Sequence, residues 1–164
     1  MTARHAEKIL IPTDYSHESM AGLTVGIRRA CESGATLLVM HVLETHWYDV
    51  NGVAYTIGTL TEENWVHARK ELDDLCEVIR QTDLRVISIL RHGAVAEEIL
   101  KAVEDYQVDL ILMSSGGETN RPVGKTTARV LEKASCEVWS VKGRLPARRV
   151  QASVRRAIPI PLAC

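Results

Sequence analysis

The chain has 164 residues, of which 46% are apolar and 25% charged, enough for one compact domain and too few for two. Its 20 Lys and Arg and 21 Asp and Glu leave a formal net charge of −1, so bulk charge does not favour binding to nucleic acid or an anionic membrane surface. The sequence contains no apolar stretch near the roughly 18 residues of a membrane span and no signal-peptide core at its start. These features argue against a nucleic-acid or membrane protein, and we expect a cytoplasmic location.

The four cysteines lie at wide and unrelated spacings and form no CxxC pair. Small secreted domains use a regular cysteine framework, which this chain lacks. We therefore expect reduced thiols. Three of them fall on apolar faces of predicted elements, where cysteine behaves as a small hydrophobic residue: Cys31, Cys76 and Cys136.

Five short apolar runs have the length of β-strands: 9–11, 37–42, 86–90, 110–113 and 138–141. The segments between them repeat apolar residues with the helical period, as at Leu23, Ile27 and Ala30. Strict alternation of strand and helix, with strands apolar on both faces, is typical of a parallel sheet covered by helices. The sequence predicts a doubly wound α/β domain.

Helix boundaries support this prediction. Ser16 is placed to cap a first helix that Gly34 ends, and Thr61 is placed to open a second helix. Residues 44–60 show no clean periodicity, and we interpret them as a surface excursion before the second helix. We assign 1–143 to the domain and 144–164 to a basic, proline-containing tail that is solvated or docks on the domain; alternatively, the tail binds an acidic partner or a lipid.

The loops after the first and fourth predicted strands carry the polar residues of interest. In open α/β sheets the ligand crevice lies beyond the carboxyl ends of the strands. Glycines before a helix leave backbone N–H groups uncrowded for a phosphate, and Lys125, Thr126 and Thr127 would add an ammonium and two hydroxyls. Asp14 is placed to accept from a base amine or a sugar hydroxyl; alternatively, it only starts the turn and caps the helix.

Several motifs together resemble a universal stress protein domain, over about residues 7–142. The residues that carry the resemblance are KILIPTD at 8–14, LVMHV at 38–42, Gly93, VDLILM at 108–113 and SCEVWSV at 135–141. The resemblance implies a flavodoxin-like, five-stranded parallel sheet with helices on both faces, usually in a homodimer. It also implies a site for ATP, with Mg²⁺ accompanying it.

The family's ATP-binding members carry Gly-x2-Gly-x9-Gly-Ser or Gly-Thr after the fourth strand. Here Ser114 stands at the first glycine, six residues separate Gly117 from Gly124, and Lys125 replaces the hydroxyl residue. By resemblance, the following residues surround the nucleotide: Pro12, Thr13, Asp14, Val42, Met113, Ser114, Gly117, Gly124, Lys125, Thr126 and Thr127.

The resemblance and these departures from it leave two candidate functions. The first is an ATP-binding module that acts in the stress response through conformation or partner contacts. The alternative is a nucleotide-independent dimeric module whose loop has lost ATP. A P-loop enzyme is disfavoured because Thr119 stands where GxxxxGK[ST] needs glycine. We assign no catalytic residue and no metal site, although slow ATP hydrolysis stays open.

The last predicted strand is an edge strand that would otherwise expose unpaired backbone groups. We expect a two-fold dimer that buries Val138, Trp139 and Val141 of this strand. The alternative is that Trp139 packs under a helix of its own subunit.

Overall fold

A computed structural model describes residues 7–57, 60–115 and 124–142. Along the chain the elements are β1 Lys8–Pro12, α1 His17–Ser33, β2 Thr36–Glu44, β3 His46–Val50, β4 Val53–Ile57, α2 Glu62–Arg80, β5 Val86–Gly93, α3 Val95–Tyr106, β6 Leu110–Ser115, α4 Lys125–Lys133 and β7 Glu137–Lys142. The five strands predicted from apolar runs are confirmed as β1, β2, β5, β6 and β7.

These five strands form one sheet in the order β5-β2-β1-β6-β7, and every neighbouring pair is parallel. The predicted doubly wound α/β class is therefore confirmed. The chain moves from β1 outward through β2 and β5, then crosses to β6 on the other side of β1. Strand order thus reverses between β1 and β6, where an open α/β sheet leaves a crevice at its carboxyl edge.

Alternate residues of each strand enter two apolar cores, one on each face of the sheet. Ile9 and Ile11 of β1 pack with residues of α1 and α2, whereas Leu10 packs with residues of α3. All three are fully buried. Burying a side chain of this size stabilises the fold by about 1.5–3 kcal/mol relative to exposure. Strands buried on both faces explain why their sequences are apolar runs and not alternating patterns.

Helix α1 lies close to the sheet at Gly26, which has no side chain. A Cβ atom at Gly26 would overlap Cδ1 of Ile11, whereas a Cβ atom at Gly22 would make an ordinary contact, 3.8 Å from the carbonyl oxygen of Leu112. The helix ends are those predicted: the Ser16 side chain accepts from the Ser19 N–H at 3.2 Å, and Gly34 ends the helix with φ +71°. The predicted cap of α2 at Thr61 is also confirmed.

The excursion at 44–60 contains regular structure that the prediction missed. Strands β3 and β4 pair antiparallel as a hairpin, with His46 opposite Ile57 and Val50 opposite Val53. Asn51 and Gly52 form the turn, with φ values of +56° and +81°. Two central residues with positive φ are typical of the tight hairpin turn that Asn-Gly favours. This dipeptide was therefore an available signal.

Of the cysteines, Cys76 is a buried free thiol and Cys136 is a half-buried one. Cys31 is disulfide-bonded, which corrects the expectation of a reduced thiol at that position. Residues 144–164, assigned above to a basic tail, lie outside the described residues. Among the residues that are described, no helix is both long enough and apolar enough to span a membrane.

Candidate functional site

The carboxyl edge of the sheet collects the polar residues singled out from the sequence. Strand β1 ends at Pro12 and its neighbour β6 ends at Ser115, so the segments following both strands start from the same edge. Helix α4 connects two parallel neighbours, β6 and β7, and must therefore run back across the sheet from this edge. Its first residues consequently lie at the same edge as the turn after β1.

The turn between β1 and α1 is held by short hydrogen bonds. The Thr13 N–H donates to the carbonyl oxygen of Met40 at 2.8 Å, which ties the turn to β2. The Thr13 hydroxyl accepts from the Tyr15 N–H at 3.0 Å and lies 3.1 Å from the Ser19 hydroxyl. Thr13 is only 5% exposed. The turn is therefore tied both to the sheet and to the first turn of α1.

Asp14 is the exposed carboxylate of this turn. Its Oδ1 accepts from the Ser16 N–H at 2.9 Å, so the side chain does start the turn, as one hypothesis held, while Ser16 caps the helix. Burial alone would raise the pKa of the Asp14 carboxyl, but hydrogen bonds from Ser16 and Ser19 outweigh it and hold the pKa below its ordinary value. The group is an anion at neutral pH, with lone pairs left to accept from a ligand.

The aromatic side chains of Tyr15 and His41 pack together at the β1–α1 turn, and the sequence analysis predicted a role for neither. Tyr15 has φ +60°, which is rare for a bulky residue. Its ring packs against that of His41 with centroids 4.7 Å apart, and Nδ1 of His41 lies 2.8 Å from the Thr13 carbonyl oxygen. Burial raises the pKa of the Tyr15 hydroxyl, and the nearby Glu71 carboxylate adds to this. The pairing joins residues distant in sequence, so no local pattern indicates it.

The amino end of α4 carries partial positive charge, from backbone N–H groups that have no partner within the helix. Gly124 occupies the cap position with φ −58° and ψ 151°, no side chain of the described residues caps the helix, and its first turn contains no acidic residue. The first N–H groups of a helix have no partner within it. A Cβ atom at Gly124 would meet nothing within 4 Å among the described residues. Together with the exposed Lys125, this end can bind an anion.

The remaining predicted residues take different positions around this edge. Val42 and Met113 belong to the core on the α3 and α4 face, where Met113 is 6% exposed. Thr127 is buried at 5% exposure in the first turn of α4, and Ser114 is half-buried near the end of β6. Gly117 lies outside the described residues.

A cleft of about 410 Å³ opens on the other face of the sheet, between the end of β2 and α2. Tyr15 and His41 line it on the sheet side, and His67 and Glu71 line it on the helix side. The predicted site residues Val42 and Met113 pack on the opposite face. The cleft thus lies at the same carboxyl edge of the sheet, on the opposite face from these two residues.

Strand β7 is the edge strand of the sheet, as predicted. Val138 packs partly into the α3 and α4 core, and Val141 packs partly into the α1 and α2 core. Trp139 is 36% exposed and lies under the Arg29 guanidinium of α1, 4.6 Å from its centre. One face of the Trp139 ring thus packs under α1 of its own subunit, which is the arrangement that the alternative hypothesis described.

The family model of the universal stress proteins matches residues 5–142. The chain belongs to the universal stress protein family. Universal stress protein MJ0531 of Methanocaldococcus jannaschii is 28% identical over 142 residues, which cover 83% of this chain and 82% of that protein.

Solved universal stress proteins share the fold. The structure of universal stress protein UspA from Lactobacillus plantarum matches with a TM-score of 0.67 at 20% identity, covering 84% of this chain and 98% of that one. The Archaeoglobus fulgidus protein in complex with dAMP gives 0.63 at 16% identity, covering 84% and 98%. A universal stress protein in complex with cAMP gives 0.61 at 14% identity, covering 83% and 96%. The likeness confirms the five-stranded α/β architecture.

Proposed function

We propose that this universal stress protein binds an adenine nucleotide, ATP with Mg²⁺, between the β1–α1 turn and the amino end of α4. In this proposal it acts in the stress response through conformation or partner contacts. The observation that carries the proposal is the start of α4 at Gly124, which no described side chain caps or crowds, on the edge that also carries the Asp14 carboxylate. Relatives of the same fold in complex with dAMP and cAMP support adenine as the base.

Each residue has a role that its chemistry supports. The Asp14 carboxylate accepts from the adenine amine or a ribose hydroxyl, because it is ionised and exposed. Val42, half-buried at the edge of the α3 and α4 core, provides apolar surface for the base, and Met113 lies beside the ribose and phosphates. The first N–H groups of α4 bind phosphate oxygens, and the Lys125 ammonium pairs with them in place of the family's hydroxyl. Binding alone needs no catalytic residue, and we assign none.

Calorimetry tests this site. The purified protein is stripped of carried ligand and titrated with magnesium ATP, AMP and GTP to about millimolar concentration. We expect saturable ATP binding that Asp14→Ala and Gly124→Val each weaken at least about tenfold, or about 1.4 kcal/mol. Among the described residues a Cβ atom at 124 meets nothing within 4 Å, so we expect the valine to obstruct the ligand and to leave the fold intact. Unchanged affinity in both variants would overturn the site.

Two exposed lysines on α4 allow a direct phosphate contact to be distinguished from an effect of net charge on ATP binding. Lys125 begins the helix and Lys133 ends it, and both are exposed. We expect Lys125→Ala to weaken ATP binding and to reduce its salt dependence, because the lost partner is a phosphate. Lys133→Ala keeps the wild-type affinity. Equal losses in the two variants would mean that Lys125 acts only through net charge.

The protein is also proposed to form a homodimer through the open edge of β7. An edge strand with a partly exposed tryptophan supports pairing with a symmetry mate, involving Val138, Trp139 and Val141. Sedimentation at micromolar concentration is expected to give twice the 18.2 kDa protomer mass, and Trp139→Lys is expected to give the protomer. A monomeric wild type would contradict this proposal. A dimer with a flat ATP titration would favour the nucleotide-independent module instead.

A further inference from the structure

We infer that His41 is a positioning residue for the nucleotide: with the Tyr15 ring, it holds the β1–α1 turn that presents Asp14. This inference rests on the proposed function, since it assigns to two side chains outside the nucleotide crevice an effect on binding within it. Neither side chain belongs to the motif positions from which the site was predicted.

His41 anchors the turn at the first carbonyl beyond β1. Pro12 is paired with Met40 in the sheet, so His41 lies one residue further along β2, beside Thr13. Its Nδ1 is 2.8 Å from the Thr13 carbonyl oxygen. A carbonyl oxygen only accepts, so Nδ1 carries the proton and donates.

Tyr15 keeps the turn in a conformation that it would not adopt alone. A non-glycine residue in the left-handed region carries a conformational cost, because its Cβ atom comes too close to a backbone carbonyl oxygen, and Tyr15 has φ +60°. Two contacts oppose that cost: the ring lies against His41, and the N–H donates to the Thr13 hydroxyl at 3.0 Å. Tyr15 follows Asp14 directly. The packed rings of Tyr15 and His41, called the clamp below, therefore determine where the carboxylate is presented.

The clamp acts from the opposite side of the sheet to the nucleotide. Tyr15 packs against the α1 and α2 core, and both clamp rings line the cleft beside α2. Val42, the residue after His41, packs on the other face. We therefore expect an effect of His41 on nucleotide affinity to pass through the turn. Amide exchange in the turn distinguishes this route from direct contact between His41 and the ligand.

The experiment compares His41→Leu, which cannot donate, with His41→Asn, whose amide can. His92→Leu is the control, an exposed histidine on the neighbouring strand β5. For each variant we measure ATP affinity by calorimetry, amide hydrogen exchange at Tyr15 and Ser16, and the urea midpoint. We expect His41→Leu to weaken ATP at least tenfold and to accelerate exchange at both amides at least tenfold. His41→Asn is expected to recover most of both effects, and His92→Leu to resemble the wild type.

The outcomes separate this inference from the function on which it rests. ATP binding unchanged in His41→Leu overturns the inference and leaves the proposed site standing. A loss of affinity without faster exchange at Tyr15 and Ser16 also overturns it, since the effect would not pass through the turn. No ATP binding by the wild type overturns the proposed function and the positioning role together. If His41→Leu does not fold, the comparison of His41→Asn with the wild type decides. Wild-type amide exchange together with wild-type ATP affinity in His41→Asn supports the positioning role. Loss of exchange protection and of ATP affinity, despite the amide donor, overturns it.

Discussion

The guanidinium carbon of Arg29 lies 4.6 Å from the centre of the Trp139 ring, and the same guanidinium donates to the Glu7 carboxylate at 2.7 Å. A single side chain of α1 thus covers the aromatic residue of the edge strand and pairs with a residue just before β1. Hydrogen bonding to Glu7 raises the pKa of the Arg29 guanidinium, so it stays charged. The contact joins the first helix to the last strand of the described sheet.

Arg29→Ala is expected to lower the free energy of unfolding by about 1 kcal/mol. A cation–π contact at an exposed site contributes about 0.5–1 kcal/mol, and an exposed ion pair adds little. Urea denaturation at one protein concentration measures the loss, since association would shift the midpoint. Arg28→Ala, an exposed neighbour on the same helix, is the control and should change stability by less than about 0.5 kcal/mol. Equal effects of the two substitutions would contradict the prediction.

Tyr15→Phe is expected to leave the protein as stable as the wild type or more stable, by up to about 1 kcal/mol. Among the described residues, the Tyr15 hydroxyl is buried without a hydrogen-bond partner. Leaving such a group unsatisfied costs about 1–3 kcal/mol, which phenylalanine avoids while keeping the ring against His41. Thermal or urea unfolding tests this, with Tyr15→Ala as the variant that loses the ring. Destabilisation of Tyr15→Phe by more than about 1 kcal/mol would mean that the hydroxyl has a stabilising partner.

Gly34→Ala is expected to destabilise the protein by about 1 kcal/mol, because an alanine in the left-handed region brings Cβ too close to the backbone. Gly34 has φ +71° and donates to the Ala30 carbonyl oxygen at 2.8 Å. Apart from Gly34 itself and its two chain neighbours, no described atom lies within 4 Å of the added Cβ, so the effect is conformational. Gly34→Asn is the matched variant and should lose less, since asparagine tolerates this conformation. Equal losses would assign the effect to something other than φ.

The Asp14 carboxyl is expected to titrate below its ordinary value of 3.8. Because the folded pKa is depressed, the stability it contributes is present above the unfolded pKa and disappears as pH falls through the folded one. NMR titration of the side-chain carboxyl carbon gives the folded value directly. The free energy of unfolding of Asp14→Asn should also fall less steeply below about pH 4 than that of the wild type. A titration midpoint at or above 3.8 would contradict the hydrogen bonding described for this turn.

Local sequence determined the parts of the structure that depend on near neighbours. The strands follow from runs apolar on both faces, and the ends of α1 follow from a serine that accepts an N–H and a glycine that adopts positive φ. The hairpin at 46–57 belongs to the same class, because Asn51-Gly52 favours its turn, but its strands lack the clean alternation on which the prediction relied. The exposed Asp14 could also be predicted from its place after β1.

Contacts between residues distant in sequence were decided by the tertiary structure alone. His41 is 28 positions from Thr13, and its imidazole reaches the carbonyl only because β2 pairs with β1 in one register. The Arg29 and Trp139 contact likewise requires α1 to pack over the far edge of the sheet. The sequence by itself determined the order and type of the elements, because propensity, capping and apolar periodicity act over a few residues. Which side chains meet around Asp14 depended on strand order and register, because burial of two continuous cores selects these for the whole chain at once.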